Sequence, residues 1–166
     1  MSIARALLLL ALASLAACGF HLRGEARLPA SAMTVTIVAA DPYSPLKRDL
    51  EAALRRSGAV VKETGGEGVA TLKLPVMKLA TEPVSISKNA RVKEFRVKYE
   101  VEVELESADG KVLLKRTPIE LSREYSYDET QALGAQAEEE LLKKEMERDM
   151  VQQVLRRLES ASAAPP

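Results

Sequence analysis

The residue with the most definite chemistry is Cys18, the only cysteine in the chain. It closes the tetrapeptide Leu15-Ala16-Ala17-Cys18, a lipobox pattern in which small side chains fit a signal peptidase and the thiol receives diacylglycerol. Ahead of it lie a single charged side chain, Arg5, and an apolar run from Ala6 to Leu15, the layout of a secretory signal. The run is shorter than the ~20 apolar residues of a membrane-spanning helix, and Gly19, His21 and Arg23 follow at once. The expectation is export, cleavage before Cys18, and a covalent diacylglycerol plus an N-acyl chain on Cys18. The alternative, a plain secreted protein, would leave a free thiol in an oxidising compartment, where it is a liability. Each buried methylene contributes about 0.8 kcal/mol, so two or three fatty chains make a practically permanent tether.

The remaining inventory is poor in catalytic chemistry. His21 is the only histidine, and no His-x-x-x-His or Cys-x-x-Cys spacing occurs, so neither a metal site nor a nucleophile with its base can be assembled from recognisable parts. His21 could act as a ligand or pH switch, but a polar contact in the stalk or against a partner is the simpler role. The row Glu100, Glu102, Glu104, Glu106 suits a solvated strand face, with a divalent-cation site as the minority alternative. Glu138, Glu139 and Glu140 lie early in a helix, where negative charge suits the helix dipole. One segment differs: Val84 and Ile86 alternate with Ser85 and Ser87, and Lys88, Asn89, Ala90, Arg91, Val92 and Lys93 follow. Aliphatic side chains beside cations suit an amphiphile with acyl chains and phosphates, because Lys and Arg pair with phosphate oxygens. A solvated hairpin that merely extends a sheet explains the same residues. No catalytic and no metal-ligating residue is expected, and no cofactor beyond the acyl groups.

These residues must be positioned by a small domain. Residues 1–17 form the leader, 18–32 an extended stalk, 33–159 the folded domain and 160–166 a disordered tail. Met33 to Val38 is β-branched and predicts a first strand. Ser44 followed by Pro45 is a helix start, and the stripe Leu46, Leu50, Ala53, Leu54 carries a helix to about Ser57, with Gly58 as its terminator. Glu63 to Gly68 predicts a glycine-rich connection, and Val69 to Leu79 a strand in which Pro75 argues for an edge or a bulge. Phe95, Val97, Tyr99, Val101, Val103 and Leu105 alternate with charged residues in the clearest strand of all. Asp109-Gly110 then turns the chain into a return strand through Ile119, Leu121 and Tyr125. A long helix follows from about Ala132 to Glu159. The order β-α-β-β-β-α predicts an α/β (α+β) two-layer sandwich, a four-stranded sheet with both helices on its apolar face.

Loss of Arg5 with the leader takes the balance of 24 basic and 24 acidic residues to a net charge of about −1, which gives no reason to expect a nucleic-acid partner.

The first mature residues, Cys18-Gly19-Phe20-His21-Leu22-Arg23-Gly24, resemble the start of the LptE lipoprotein family of lipopolysaccharide assembly, whose mature chains open with Cys-Gly-aromatic-His-Leu-Arg. The similarity continues through Asp41-Pro42 with Ser44-Pro45-Leu46, the Lys88-Asn89 loop, and Lys144-Glu145-Met146 of the last helix. It implies a lipoprotein at the outer membrane, on its periplasmic side, that fills the lumen of the β-barrel LptD and with it inserts lipopolysaccharide into the outer leaflet. It further implies lipopolysaccharide contact through Lys88, Arg91 and Lys93. Departures are Phe20, where family members commonly carry Trp, and the absence of a basic residue around Gly134 and Ala135. A lipid-binding or transfer lipoprotein that works without a barrel is the competing hypothesis, and an envelope enzyme is a third.

Overall fold

The computed structural model describes residues 29–86 and 92–163. Cys18, His21, Lys88 and Arg91 lie outside the described residues. Five strands and two helices follow in the order β1 (Thr34–Ala39), α1 (Pro45–Arg56), β2 (Val60–Lys62), β3 (Ala70–Ile86), β4 (Val92–Glu106), β5 (Val112–Ser126) and α2 (Ala132–Ala163). The sheet is ordered β2-β1-β3-β4-β5; β1 runs parallel to β2 and β3, and β3, β4 and β5 form an antiparallel meander.

The expected two-layer class holds, with five strands rather than four. The additional one, β2, is only three residues long and pairs Val60 with Thr34. It is too short to produce a periodic pattern, so the sequence gives its residues no assignment between Gly58 and the connection from Glu63. Ala30–Ala32 form a 3-10 turn with Ala32 fully buried, so packing begins inside the segment expected to be stalk. Helix α2 extends to Ala163, so Ser160 to Ala163, expected in a disordered tail, are helical.

Helix α1 starts as its sequence dictates. Ser44 is extended, its Oγ accepts the Lys47 N–H at 3.3 Å, and Pro45 occupies the first turn where no N–H is needed. At the other end Gly58 takes φ 84°, a left-handed conformation that a Cβ would disfavour. The apolar stripe Leu46, Leu50, Ala53, Leu54 is buried, and it meets Met146, Met150, Val154 and Leu158 of α2 over Val35, Leu72, Leu74, Val101 and Leu105 of the sheet in one continuous core. The alternation of β4 is realised as foreseen, with Val97, Tyr99, Val101, Val103 and Leu105 all inside.

Pro75 stands at a bulge, where pairing with β1 ends and that side of β3 becomes an edge. β3 is flanked by β1 and β4, and its register with β4 slips by one residue between Lys73 and Val76. Below the bulge β3 pairs with β1 through Ala70–Leu74 only, while the pairing with β4 continues to Ile86 and Val92. The meander therefore projects well past β1 as a long three-stranded extension. At ~3.4 Å per residue the 15 residues of β4 span about 50 Å.

Candidate functional site

The extension gives the domain two distinct ends. Pro29 and the turn Ala30–Ala32 sit beside the start of β1, which pairs with the start of β3. At the opposite pole, Ile86 and Val92 close the β3–β4 hairpin, and residues 87–91, with Lys88 and Arg91, link them. Of the three cations expected to touch lipid, Lys93 alone is described. It is exposed, and its carbonyl accepts the Tyr127 N–H at 2.8 Å, which fixes it at the last rung of the β4–β5 ladder.

Beside Lys93, between the hairpin and the start of α2, lies an open cavity of about 610 Å³ lined by Glu94, Tyr127, Asp128, Gln131, Gly134, Ala135 and Glu138 among others. Among the described lining residues Lys93 is the one basic side chain, against three carboxylates. Asp128 is already engaged: Oδ1 accepts from the Thr130 N–H (2.9 Å) and hydroxyl (2.7 Å), bonds that hold its carboxyl below the ordinary range, and Lys93 adds a smaller attraction. Tyr127 joins the cavity wall to an aromatic cluster. Phe95 meets Tyr127 edge-on with ring centres 5.3 Å apart and stacks on Tyr125 at 5.7 Å.

What holds α2 over this pole is a carboxylate that sequence reasoning assigned only to the helix dipole. Glu139 Oε1 accepts the Thr81 hydroxyl at 2.7 Å and Oε2 accepts the Tyr125 hydroxyl at 2.8 Å, while Lys143 lies 2.5 Å from Oε1. One side chain thus ties the helix to both β3 and β5. The three consecutive glutamates gave no signal of which one faces inward; the stripe through Ala135, Leu142 and Met146 does, because it places Glu139 on the same side. The Lys143 ammonium, then the Thr81 hydroxyl, pull the Glu139 pKa down from 4.5 to about 2. Burial first, and Glu139 second, raise the Tyr125 hydroxyl above its usual 10.0.

The signs of these shifts predict the pH dependence. A depressed carboxylate stabilises the fold above its unfolded pKa and ceases to as pH falls through the folded one, so the Glu139 contribution fades between about pH 4.5 and 2. A raised phenol stabilises below pH 10.0 and loses that contribution above it. Urea unfolding across pH 2–6 should show Glu139→Gln with a flatter acid limb than the natural chain; identical slopes would remove this role.

The sheet face opposite the helices is laddered with ion pairs. Arg96 lies 2.6 Å from Glu124 and 3.6 Å from Glu82, Lys98 3.1 Å from Glu120, and Lys73 3.2 Å from Glu104 with a second, shorter contact to Glu106. Hydrogen bonds from Lys73 to Glu106 and then to Glu104 raise the Lys73 pKa. Arg116 approaches Glu102 and Glu104 at 3.7 Å. Glu102, Glu104 and Glu106 of the glutamate row thus each lie beside a cation on a neighbouring strand. Among the described residues no three His, Cys, Asp or Glu side chains cluster as metal ligands do, and no helix is long and apolar enough to cross a membrane.

Comparison with known proteins places this architecture. The family model described as LptE, Lipopolysaccharide-assembly, matches residues 32–158. The LPS-assembly lipoprotein LptE of Photorhabdus laumondii is 32% identical over 153 residues, covering 91% of this chain and 83% of that protein. The protein of the same name from Yersinia pestis is 30% identical over 162 residues, covering 95% and 76%. Among solved structures, an uncharacterized lipoprotein B from Nitrosomonas europaea superposes with a TM-score of 0.72 at 29% identity, over 88% of this chain and 94% of that one. The rare lipoprotein B of Shewanella oneidensis follows at 0.67 and 25% identity, over 78% and 96%.

Proposed function

Because the chain belongs to the LptE family of lipopolysaccharide assembly, we propose that it is the lipid-anchored, non-catalytic subunit of an outer-membrane lipopolysaccharide translocon, seated in the lumen of an LptD β-barrel. There it assists assembly of the barrel and helps pass lipopolysaccharide into the outer leaflet. What supports this reading is the length of the meander: the described chain begins at Pro29, beside the start of β3, and Ile86 and Val92, between which Lys88 and Arg91 fall in the sequence, stand at its far end. With Cys18 acylated in the inner leaflet, β4, about 50 Å long, exceeds a hydrocarbon core of about 30 Å. The basic link then reaches the level where lipopolysaccharide phosphates lie.

The charged sheet face supports the same seat. Its carboxylates and cations pair across strands, a surface suited to the polar interior of a large barrel and unsuited to lipid. In this reading Lys88 and Arg91 meet phosphate, and Lys93, beside the carboxylates of the cavity, contributes less.

Reversing both tip charges, Lys88→Glu with Arg91→Glu, should weaken lipopolysaccharide binding by about a hundredfold or more, from the loss of two charge-assisted bonds at about 1.5–3 kcal/mol each. Binding of the purified chain to labelled lipopolysaccharide measures this, and barrel association should persist. Unchanged binding would overturn the assignment of the tip.

A further inference from the structure

The far end of the meander has thin cover. Pairing with β1 stops at Leu74, and α1 lies against β1, β2 and α2, which leaves α2 to cover that end. Even α2 offers little apolar surface there: between Ala135 and Met146 no side chain is fully buried, and Leu142 packs only partly buried against the core. Hydrophobic burial therefore fixes this half of the helix weakly. The polar contacts of Glu139 stand where apolar ones are missing. Thr81 on β3 and Tyr125 on β5 belong to strands separated by β4, where they pair with Val97 and Phe95. The Glu139 carboxylate accepts both hydroxyls, at 2.7 and 2.8 Å, so one side chain bridges the full width of the three-stranded extension. The Lys143 ammonium, one helical turn on, holds the carboxylate itself. From Tyr125 the packing runs on through Phe95 to Tyr127, whose N–H closes the last rung at Lys93.

We propose that Glu139 is a positioning residue for lipopolysaccharide contact, a staple between β3 and β5 that holds the end of the meander, and with it Lys93, in one pose beneath α2. The role rests on the reading of that end as the place where lipopolysaccharide is met. Without the staple the end of the extension shifts against α2, and binding weakens in proportion to the time spent outside the fitting pose. Charge and placement predict opposite signs. Glu139 is an anion on the side of the domain that faces phosphates, so by electrostatics alone its removal would strengthen binding. Only a role in placement makes its removal weaken binding.

Binding of the purified full chain to labelled lipopolysaccharide, with amide hydrogen exchange on the same samples, tests this. Glu139→Ala should weaken binding about tenfold, the result of a fitting pose reduced to about a tenth of the population. The Tyr127 N–H should exchange about tenfold faster, while amides of α1 keep their rates. Thr81→Val with Tyr125→Phe, which removes both hydroxyls and keeps the carboxylate, should match Glu139→Ala. Glu139→Gln, whose amide can still meet both hydroxyls, should bind within about twofold of the natural chain. Leu50→Ala, which loosens the core between the helices and leaves the staple in place, should also bind within about twofold, and this separates placement from loss of stability. Unchanged or tighter binding by Glu139→Ala, while Lys88→Glu with Arg91→Glu still weakens it, would overturn the placement role and leave the lipid reading standing. A double reversal that is also without effect would overturn both.

Discussion

Leu50→Ala should lower the free energy of unfolding by about 2–5 kcal/mol, a large share of the roughly 5–15 kcal/mol typical of one domain. Leu50 has no exposed surface. It lies in the middle of a helix only 12 residues long, which would be marginal in isolation and is held through Leu46, Leu50, Ala53 and Leu54. Truncation there opens a gap in the seam between α1, α2 and the sheet. The neighbours that could collapse into it, Leu46, Leu54 and Met150, are themselves fully buried and already packed. Leu141, 53% exposed on α2, is the matched control, and Leu141→Ala should change stability by less than about 0.5 kcal/mol. Urea unfolding followed by circular dichroism measures both. A cost below about 1 kcal/mol at Leu50, under the usual range for a buried leucine, would mean that the two helices do not share one core.

How much of this was legible in the sequence depended on whether a residue's environment repeats along its own element. The helix face of β4 is buried along most of the strand, so its alternation survived intact and its register could be read directly. The stripe of α1 and the Ser44-Pro45 start were equally plain, since capping is decided within a few residues. β2 was not legible because its three residues are set by pairing with Thr34 to Thr36, a long-range condition that no local pattern encodes. Pro75 illustrates a halfway case: proline requires that a ladder hydrogen bond be absent, which an edge and a bulge both satisfy. Here both hold, because the β3–β4 register slips between Lys73 and Val76 and pairing with β1 stops at Leu74.

The same distinction holds at the candidate site. The basic residues Lys88, Arg91 and Lys93 stand out by type, and Lys93, the described one, stands at the hairpin end of β4. The carboxylate that fastens α2 over that pole did not stand out, because Glu139 differs from Glu138 and Glu140 only in which way it faces. Its partners Thr81 and Tyr125 are distant in sequence. The acidic lining beside Lys93 was likewise invisible, being gathered from β4, the end of β5 and the first turns of α2.

A seat inside a barrel makes the strongest demand of all, since a plug enclosed by its partner cannot leave the membrane alone. Such an interface would bury far more than the roughly 1,600 Å² of an ordinary complex, and obligate interfaces of that size do not dissociate on dilution. A lipoprotein that binds or transfers lipid by itself would need no such surface and would be extracted free.

Extraction of native membranes in mild detergent, followed by affinity purification of the full chain and native mass measurement, separates these accounts. The plug predicts a complex holding this chain and one large outer-membrane barrel protein in equal copies, and little of the chain free. Recovery of the chain chiefly alone, with no barrel protein in stoichiometric amount, would contradict it.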